Sequence, residues 1–227
     1  MSLNTTLRNL ISNEPLINEI LSQPHSNPSP TSQDSGNKVS RRANISGTAN
    51  ITLGGRTVIQ ADVVLRGDLT RLKPSSDAHG SAGGGKSAAP SIAIGRCTII
   101  STGTVVQPPG RISRGAFTYY PMKIGDNVFV GAHCVVAAAS VSSHVHVGDR
   151  AVLGPFCIVR ENVKILPGAV VPPHMVIPPG CVVGGNPARI VGEVGEGWGV
   201  SPGAGAGGGG EGWVEGGDLR ELVRSIK

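Results

Sequence analysis

The stretch Val147–Val183 reads VGDRAVLGPFCIVRENVKILPGAVVPPHMVIPPGCVV, and its aliphatic residues recur at a constant spacing. One falls at every sixth position: Val147, Leu153, Val159, Ile165, Val171, Ile177 and Val183. An α-helix has a period of about 3.6 residues and a strand one of about 2, so neither explains this spacing. A constant repeat indicates a solenoid, in which each repeat buries its apolar side on its neighbours. The stretch therefore predicts an all-β fold, a parallel β-helix in which three hexapeptides complete a coil of about 18 residues.

The same spacing continues towards the N-terminus in earlier triplets of aliphatic residues. These are Leu53, Ile59 and Leu65, then Ile94, Ile100 and Val106, then Ile124, Val130 and Val136. The count slips after Leu65, after Val106 and, by a single residue, after Val136. Each slip follows a complete triplet, so we expect insertions at coil corners and about five full coils with a rise of about 4.8 Å.

Composition divides the chain into three parts. Residues 1–34 are an N-terminal extension and linker, in which Asn13 and Pro15 predict the start of a short helix. Residues 35–192 form the predicted β-helix, with a low-complexity surface loop at 73–91 and an aromatic and basic insertion at 107–121. Residues 193–227 are a Gly-rich tether and a C-terminal amphipathic helix, for which Asp218 and Glu221 predict a capping box. This helix either covers the solenoid or binds a partner.

Overall composition suits a narrow aliphatic core. The chain has 227 residues, 34 of them Gly, and is 3% aromatic; Gly, Asn and Asp tolerate the left-handed backbone that tight corners need. No apolar stretch predicts membrane insertion and no secretion signal is recognisable, so we expect a cytoplasmic protein. The net charge of +5 comes with few aromatic residues beside the basic ones, which favours an acidic protein partner over nucleic acid.

The cysteines fit the same repeat. Cys134, Cys157 and Cys181 each follow a repeat aliphatic by four positions, which is an inward slot for a small side chain, and Cys97 lies one position away from it. Their spacing matches no zinc or redox motif, so we expect buried thiols. The repeat also predicts that Cys134 and Cys157 stack on the same face of successive coils.

One resemblance concerns zinc chemistry. Val64–Asp68 (VLRGD) and Thr98–Gln107 are similar to stretches of the γ-class carbonic anhydrases. The resemblance implies three zinc-binding histidines, but the aligned positions hold Gln107, Asp126 and Gly131. A catalytic zinc needs three protein ligands and one open position. We therefore predict no metal, no cofactor and no enzymatic activity of this class.

The alternative prediction is an acyltransferase that uses acetyl-CoA. The ending Ile177–Arg189 is similar to the terminal segment of many hexapeptide-repeat acyltransferases. Such an enzyme needs a histidine base near the acceptor. No carboxylate that could orient such a base stands close in sequence to any of the candidates, so we expect corner residues rather than catalysts: His79, His133, His144, His146 and His174.

The insertion at 107–121 concentrates aromatic residues in a chain that has few. Phe117, Tyr119 and Tyr120 lie within four positions, with Arg111 and Arg114 nearby. Interface hot spots favour Tyr and Arg. The five residues are the predicted partner-binding site, and the alternative is that the aromatic side chains cover a face of their own solenoid.

The whole pattern resembles the dynactin subunit 5 family, the hexapeptide-repeat subunits of the dynactin pointed-end complex. The matching segments are Ser35–Arg41, Leu65–Leu69, Pro108–Pro109 with Phe117–Asp126, and Cys134–Ala139 with Val145–Gly148. Known hexapeptide-repeat proteins wind left-handed, so the resemblance implies a left-handed β-helix. It also implies a non-catalytic, cytoskeleton-associated component of the dynein activator that supports the microtubule-based transport of cargo such as early endosomes. Its partners would be the sister hexapeptide subunit, the actin-related cap protein, the large zinc-binding subunit and dynein cargo adaptors.

Overall fold

The computed structural model describes residues 36–70, 90–113, 115–195, 198 and 216–226, without the side chain of Glu221. All of these residues belong to one compact unit, residues 35–227. The predicted extension at 1–34, nearly all of the 73–91 loop, Arg114 and the Gly-rich tether lie outside the described residues.

The regular structure consists of many very short strands and one helix. The first strands are β1 Lys38–Val39, β2 Asn44–Ser46, β3 Ile51–Leu53, β4 Val58–Ile59, β5 Val64–Arg66, β6 Ile92–Ile94, β7 Ile99–Ile100 and β8 Val105–Val106. The middle strands are β9 Gly110–Ser113, β10 Ala116–Tyr119, β11 Met122–Ile124, β12 Phe129–Val130, β13 Val135–Val136, β14 Ser140–Val141 and β15 His146–Val147. The last elements are β16 Val152–Leu153, β17 Ile158–Val159, β18 Lys164–Ile165, β19 Val170–Val171, β20 Val176–Ile177, β21 Cys181–Gly184, β22 Arg189–Glu193 and the helix α1 Arg220–Ser225.

Three long sheets wrap around a common core. Sheet A has the strand order β1-β4-β7-β12-β15-β18-β21-β22, sheet B the order β2-β5-β8-β13-β16-β19, and sheet C the order β3-β6-β11-β14-β17-β20. Within each sheet consecutive coils pair in parallel, and only β22 returns antiparallel, beside β21. The fold is a left-handed parallel β-helix of hexapeptide repeats with a short C-terminal helix, which confirms the predicted class.

The repeat aliphatic residues point into the β-helix and stack on one another. In sheet B, Val136, Leu153 and Val171 are paired across successive coils and are at most 1% exposed. The single-residue slip after Val136 arises because β14 brings Val141 into sheet C only five residues later. The coil that starts there is one residue shorter, and the stack continues beneath it.

The corners place non-glycine residues in the left-handed backbone region. Ten described residues other than Gly have positive φ, among them Arg150, Phe156 and Asn162 at intervals of six. Cys97 belongs to this set, with φ of 54°, which explains its offset from the inward slot of the other cysteines. At Gly103 (φ 69°) an added Cβ would lie 2.4 Å from the His133 ring, so this corner requires Gly.

All four cysteines are buried free thiols, as predicted. The predicted stacking of Cys134 on Cys157 is wrong. Cys134 lies in sheet B beside Ala151, whereas Cys157 lies in sheet C, where its backbone carbonyl accepts a hydrogen bond from Ala139 N–H. The reason is the repeat that ends at Val141, which has five residues instead of six. A count that leaves this repeat out assigns every later residue to the wrong sheet.

Burial of Cys157 makes the stability of the fold sensitive to high pH. Burial raises the pKa of this thiol from 9.0 to about 12. Above pH 9 the unfolded chain loses the proton and the folded chain keeps it, so unfolding becomes more favourable as pH rises towards 12. We expect the free energy of unfolding of the wild type to fall by up to about 1.4 kcal/mol more per pH unit than that of Cys157→Ala. Rapid urea titrations between pH 9 and about pH 12 measure the difference. An equal dependence of the unfolding free energy on pH in the two proteins would contradict the prediction.

The helix α1 lies on the outward surface of sheet A. Leu219 and Val223 are buried there against Val58, Cys97 and Ile99, in a cluster separate from the interior of the β-helix. The predicted covering role is thus observed. The capping box predicted from Asp218 and Glu221 is tested only in part: Leu219, not Asp218, is at the N-cap position, and the side chain of Glu221 lies outside the described residues. The Asp218 carboxylate accepts a hydrogen bond from Arg220 N–H at 3.0 Å.

Candidate partner-binding site

The insertion predicted from its aromatic residues forms a β-hairpin at the corner between sheets B and C. It leaves after β8 and returns at β11, and its strands β9 and β10 are antiparallel. Tyr120 N–H donates to the carbonyl of Pro109 at 2.9 Å and closes the base of the hairpin. Because both ends are tied to core strands, the hairpin is held at a defined place on the solenoid.

One face of the hairpin is apolar and open to solvent. Ile112 pairs directly with Phe117, and Gly110 pairs with Tyr119, so the three large side chains share this face. Ile112 is 73% exposed and Phe117 is 51% exposed. The rings of Phe117 and Tyr119 meet edge to face at 5.1 Å, and Gly110 makes room for them, since a Cβ there would lie 2.4 Å from the Phe117 ring. We call Ile112, Phe117 and Tyr119 the hairpin face.

Tyr120 points the other way and attaches the hairpin to the solenoid. Its ring meets Phe156 edge to face at 5.5 Å, and Phe156 is stacked on His174 at 5.2 Å. Phe156 and His174 are corner residues one coil apart. The Arg111 guanidinium lies 4.9 Å from the Tyr120 ring centre, and its Nε donates to the Tyr120 hydroxyl at 3.2 Å. Together these contacts fix the orientation of the hairpin.

Truncation of Tyr120 is expected to destabilise the protein, whereas truncation of Phe117 is not. Aromatic pairs contribute about 0.5–1.5 kcal/mol beyond the area they bury, so Tyr120→Ala should lower the free energy of unfolding by about 1–2 kcal/mol. Phe117→Ala removes a half-exposed ring and should change it by less than about 0.5 kcal/mol. Urea unfolding of both variants tests this, and equal losses would show that Phe117 is equally important for anchoring.

The structure divides the predicted partner-binding residues into two groups. Phe117 and Tyr119 lie on the hairpin face, Tyr120 and Arg111 contact the solenoid corner, and Arg114 is outside the described residues. Ile112, the most exposed large hydrophobic residue described, was not predicted. The sequence did contain a signal that could have identified Ile112: it is an isolated aliphatic residue between two arginines, in a segment outside the repeat.

A second exposed apolar area lies at the C-terminal end of the β-helix. Val176 in β20 and Ile190 and Val191 in β22 are 50–60% exposed. At this end sheet A is closed by the antiparallel β22, and β19 of sheet B bonds to the turn that follows β21, through Gly185 and Ala188. A further parallel coil therefore cannot be added to sheets A and B here.

At one of the three positions aligned with zinc-binding histidines, the side chain binds a backbone amide instead. The Asp126 carboxylate accepts a hydrogen bond from Arg96 N–H at 2.6 Å and is 3.8 Å from the Arg96 guanidinium. Arg66 and Asp68 of the VLRGD stretch pair with each other at 2.8 Å, and Arg66 lowers the pKa of Asp68 below its usual value. Across the residues that the structure describes, no three His, Cys, Asp or Glu side chains come close enough to hold a metal ion.

Four histidines lie in the described part of the chain, and they occupy corner and strand positions of the β-helix. His133, His144 and His174 have positive φ and lie at corners, as predicted. His146 departs from the prediction, because it belongs to β15 and is buried with its ring stacked on Phe129 at 4.9 Å. His133 borders an open groove of about 480 Å³ beside Asp149, whose carboxylate accepts a hydrogen bond from Ala132 N–H at 2.8 Å.

Comparison with known proteins now identifies the family. The sequence model for dynactin subunit 5 matches residues 85–199, just over half of the chain, including the hairpin. The chain belongs to the dynactin subunit 5 family. The dynactin subunit 5 of Dictyostelium discoideum is 39% identical over 108 residues, which cover 48% of this chain and 44% of that protein. A second, uncharacterised Dictyostelium protein is 27% identical over 151 residues, or 66% of this chain and 52% of its own length. The chain thus spans about half the length of these relatives.

More distant similarities are to proteins that are named as enzymes. Gamma carbonic anhydrase 2 of Arabidopsis thaliana is 33% identical over 100 residues, which cover 44% of this chain and 35% of that protein. Among solved structures, PerB of Caulobacter crescentus, determined with CoA and GDP-perosamine, superposes with a TM-score of 0.48 at 20% identity and covers 69% of this chain and 57% of its own. None of the helices in the part of the chain that the structure describes is long and apolar enough to cross a membrane.

Proposed function

We propose that this chain is a non-catalytic subunit of dynactin that binds neighbouring subunits through the hairpin face. The observation that carries the proposal is the pair Ile112 and Phe117, exposed side by side on a hairpin whose base is tied to the solenoid. An exposed apolar group on a rigid support loses little conformational freedom on binding, which favours its use as an anchor. Membership of the dynactin subunit 5 family supports the kind of assembly.

The specific partners follow from the family resemblance. We propose contacts with the sister hexapeptide subunit, the actin-related cap protein and the large zinc-binding subunit of the pointed-end complex, and with dynein cargo adaptors. The protein would then act in the cytoplasm, on the cytoskeleton, in dynein-driven transport of cargo such as early endosomes. The net charge of +5 supports attraction to acidic partners of this kind.

The alternative function, acyl transfer from acetyl-CoA, has weaker support. It rests on the ending Ile177–Arg189, which in this structure runs from the end of β20 through β21 and the turn that closes the last coil to the first residue of β22. That ending therefore has a structural role irrespective of any bound CoA.

Affinity purification of the full-length chain, tagged at its N-terminus and expressed at native level, tests the proposal. We expect the other dynactin subunits to be recovered in near-stoichiometric amounts and the purified chain to bind no acetyl-CoA in isothermal titration. Recovery of the chain alone, together with saturable acetyl-CoA binding, would overturn the proposal in favour of the enzyme. A tagged Ser140→Lys variant, changed on the outward surface of sheet C, controls for non-specific loss of recovery.

A further inference from the structure

The outward surface of sheet A carries an apolar patch, and it is this patch that the C-terminal helix covers. Val58, Ile99 and Phe129 occupy successive outward positions on β4, β7 and β12, with Cys97 beside them. The neighbouring outward position on the same sheet is Lys38 on one side and His146 on the other, with Lys164 one coil further on. The patch is therefore a limited apolar strip, about three coils long, with Lys38 at one end and His146 at the other.

The C-terminal segment shows which kind of structure fits this strip. Residues Leu219, Leu222, Val223 and Ile226 face it with the helical spacing i, i+3, i+4 and i+7. Lys38 Nζ donates to the carbonyls of Val223 (2.8 Å), Arg224 (3.4 Å) and Ile226 at the end of the helix. The strip thus offers apolar contacts along the helix and a cation for its last carbonyls, which sets the direction in which a helix lies.

The helix that occupies the strip has few means of its own to remain helical. It spans six residues, its N-cap residue Leu219 makes no side-chain hydrogen bond, and the Asp218 carboxylate accepts a hydrogen bond from Arg220 N–H. Helices below about 12 residues are marginal in water, so this one exists only because the strip binds it. Upstream, the segment is attached by the contact of His144 Nδ1 with the Gly216 carbonyl at 3.2 Å and by Trp198, whose Nε1 donates to the carbonyl of His144 at 3.4 Å.

We infer that the outward surface of sheet A is a binding site for a short amphipathic helix of a partner chain, and that the chain's own C-terminal helix occupies it in competition with that partner. The partner helix carries apolar residues at i, i+3, i+4 and i+7 and ends its last turn at Lys38. The covered strip and the hairpin face lie on different surfaces of the solenoid, so this site is independent of the function proposed above. Failure of one proposal leaves the other unaffected.

Peptide binding to a chain with an emptied strip tests the inference. The receptor is the full chain with Leu219→Asp and Val223→Asp, and the probe is a fluorescein-labelled peptide of residues 216–227. We expect saturable binding to this variant and at least about tenfold weaker binding to the wild type, because the internal helix competes. The matched control, Arg224→Gln with Ser225→Asp, makes the same change in net charge on exposed positions of the helix and should behave as the wild type. A further Phe129→Asp change in the emptied receptor should abolish binding.

Cys97 provides a second readout that does not depend on the peptide assay. It is 7% exposed beneath the helix, whereas Cys134 and Cys157 lie in the interior. Iodoacetamide should label Cys97 faster in the emptied variant and in Lys38→Met, and added peptide should restore protection in the emptied variant. Labelling of Cys134 and Cys157 should stay slow, which verifies that the β-helix is folded.

Three results would overturn the inference. The first is the absence of peptide binding to an emptied variant in which Cys97 is exposed. The second is equal binding to wild type and emptied variant, which would place the peptide elsewhere. The third is dimerisation of the wild type in light scattering that is lost with Leu219→Asp, because the strip would then serve exchange between two copies.

Discussion

Exchange of Ile112 and Phe117 for aspartate is expected to reduce recovery of the other dynactin subunits by at least about tenfold, with the thermal unfolding temperature unchanged. Both side chains lie mostly in solvent, so the isolated chain loses little on their replacement. In the assembly each would place a charge in an apolar contact. Truncating one interface hot spot alone typically costs about 2 kcal/mol or more of binding free energy.

The opposite face of the same hairpin supplies the control. Ser113 and Ala116 are cross-strand partners next to the pair formed by Ile112 and Phe117, but their side chains belong to the other face. Ser113→Asp with Ala116→Asp makes the same change in charge and should leave subunit recovery at the wild-type level. Equal loss in both double variants would indicate that the hairpin responds to charge in general, and unchanged recovery in both would exclude it as the contact.

The second large effect is expected in the core, where Leu153→Ala should lower the free energy of unfolding by about 2–5 kcal/mol. Leu153 is 1% exposed and stacks between Val136 and Val171 of the coils on either side. Each coil of a solenoid depends mainly on its immediate neighbours, so a cavity here weakens two coil interfaces. Urea unfolding followed by circular dichroism measures the loss.

Val152→Ala is the matched comparison on the same strand. Val152 precedes Leu153, points outward and is half-buried, so its truncation should cost about 1 kcal/mol or less. A similar loss for both variants would contradict the assignment of inward and outward positions.

Part of the candidate site could be predicted because it interrupts a regular pattern. The aromatic cluster at Phe117, Tyr119 and Tyr120 falls between two triplets, where the repeat has no use for large rings. Which of these rings face solvent and which contact the solenoid could not be predicted, because this depends on which strand residues pair in the hairpin. The register that pairs Ile112 with Phe117 puts both on the open face, and Tyr120, just past the end of β10, turns back towards Phe156.

The sequence by itself determined the coil. In a hexapeptide solenoid each inward residue meets its equivalent about one coil away, so a local spacing specifies long-range contacts, the sheets and the core. Only the tertiary structure decided what the spacing leaves open: the different sheets that hold Cys134 and Cys157, the edge-to-face contact of Tyr120 with Phe156, and the packing of Leu219 and Val223 on sheet A. These contacts join residues that no period relates. They depend on how far each insertion reaches across coils already formed, which is a property of the folded surface and not of the spacing along the chain.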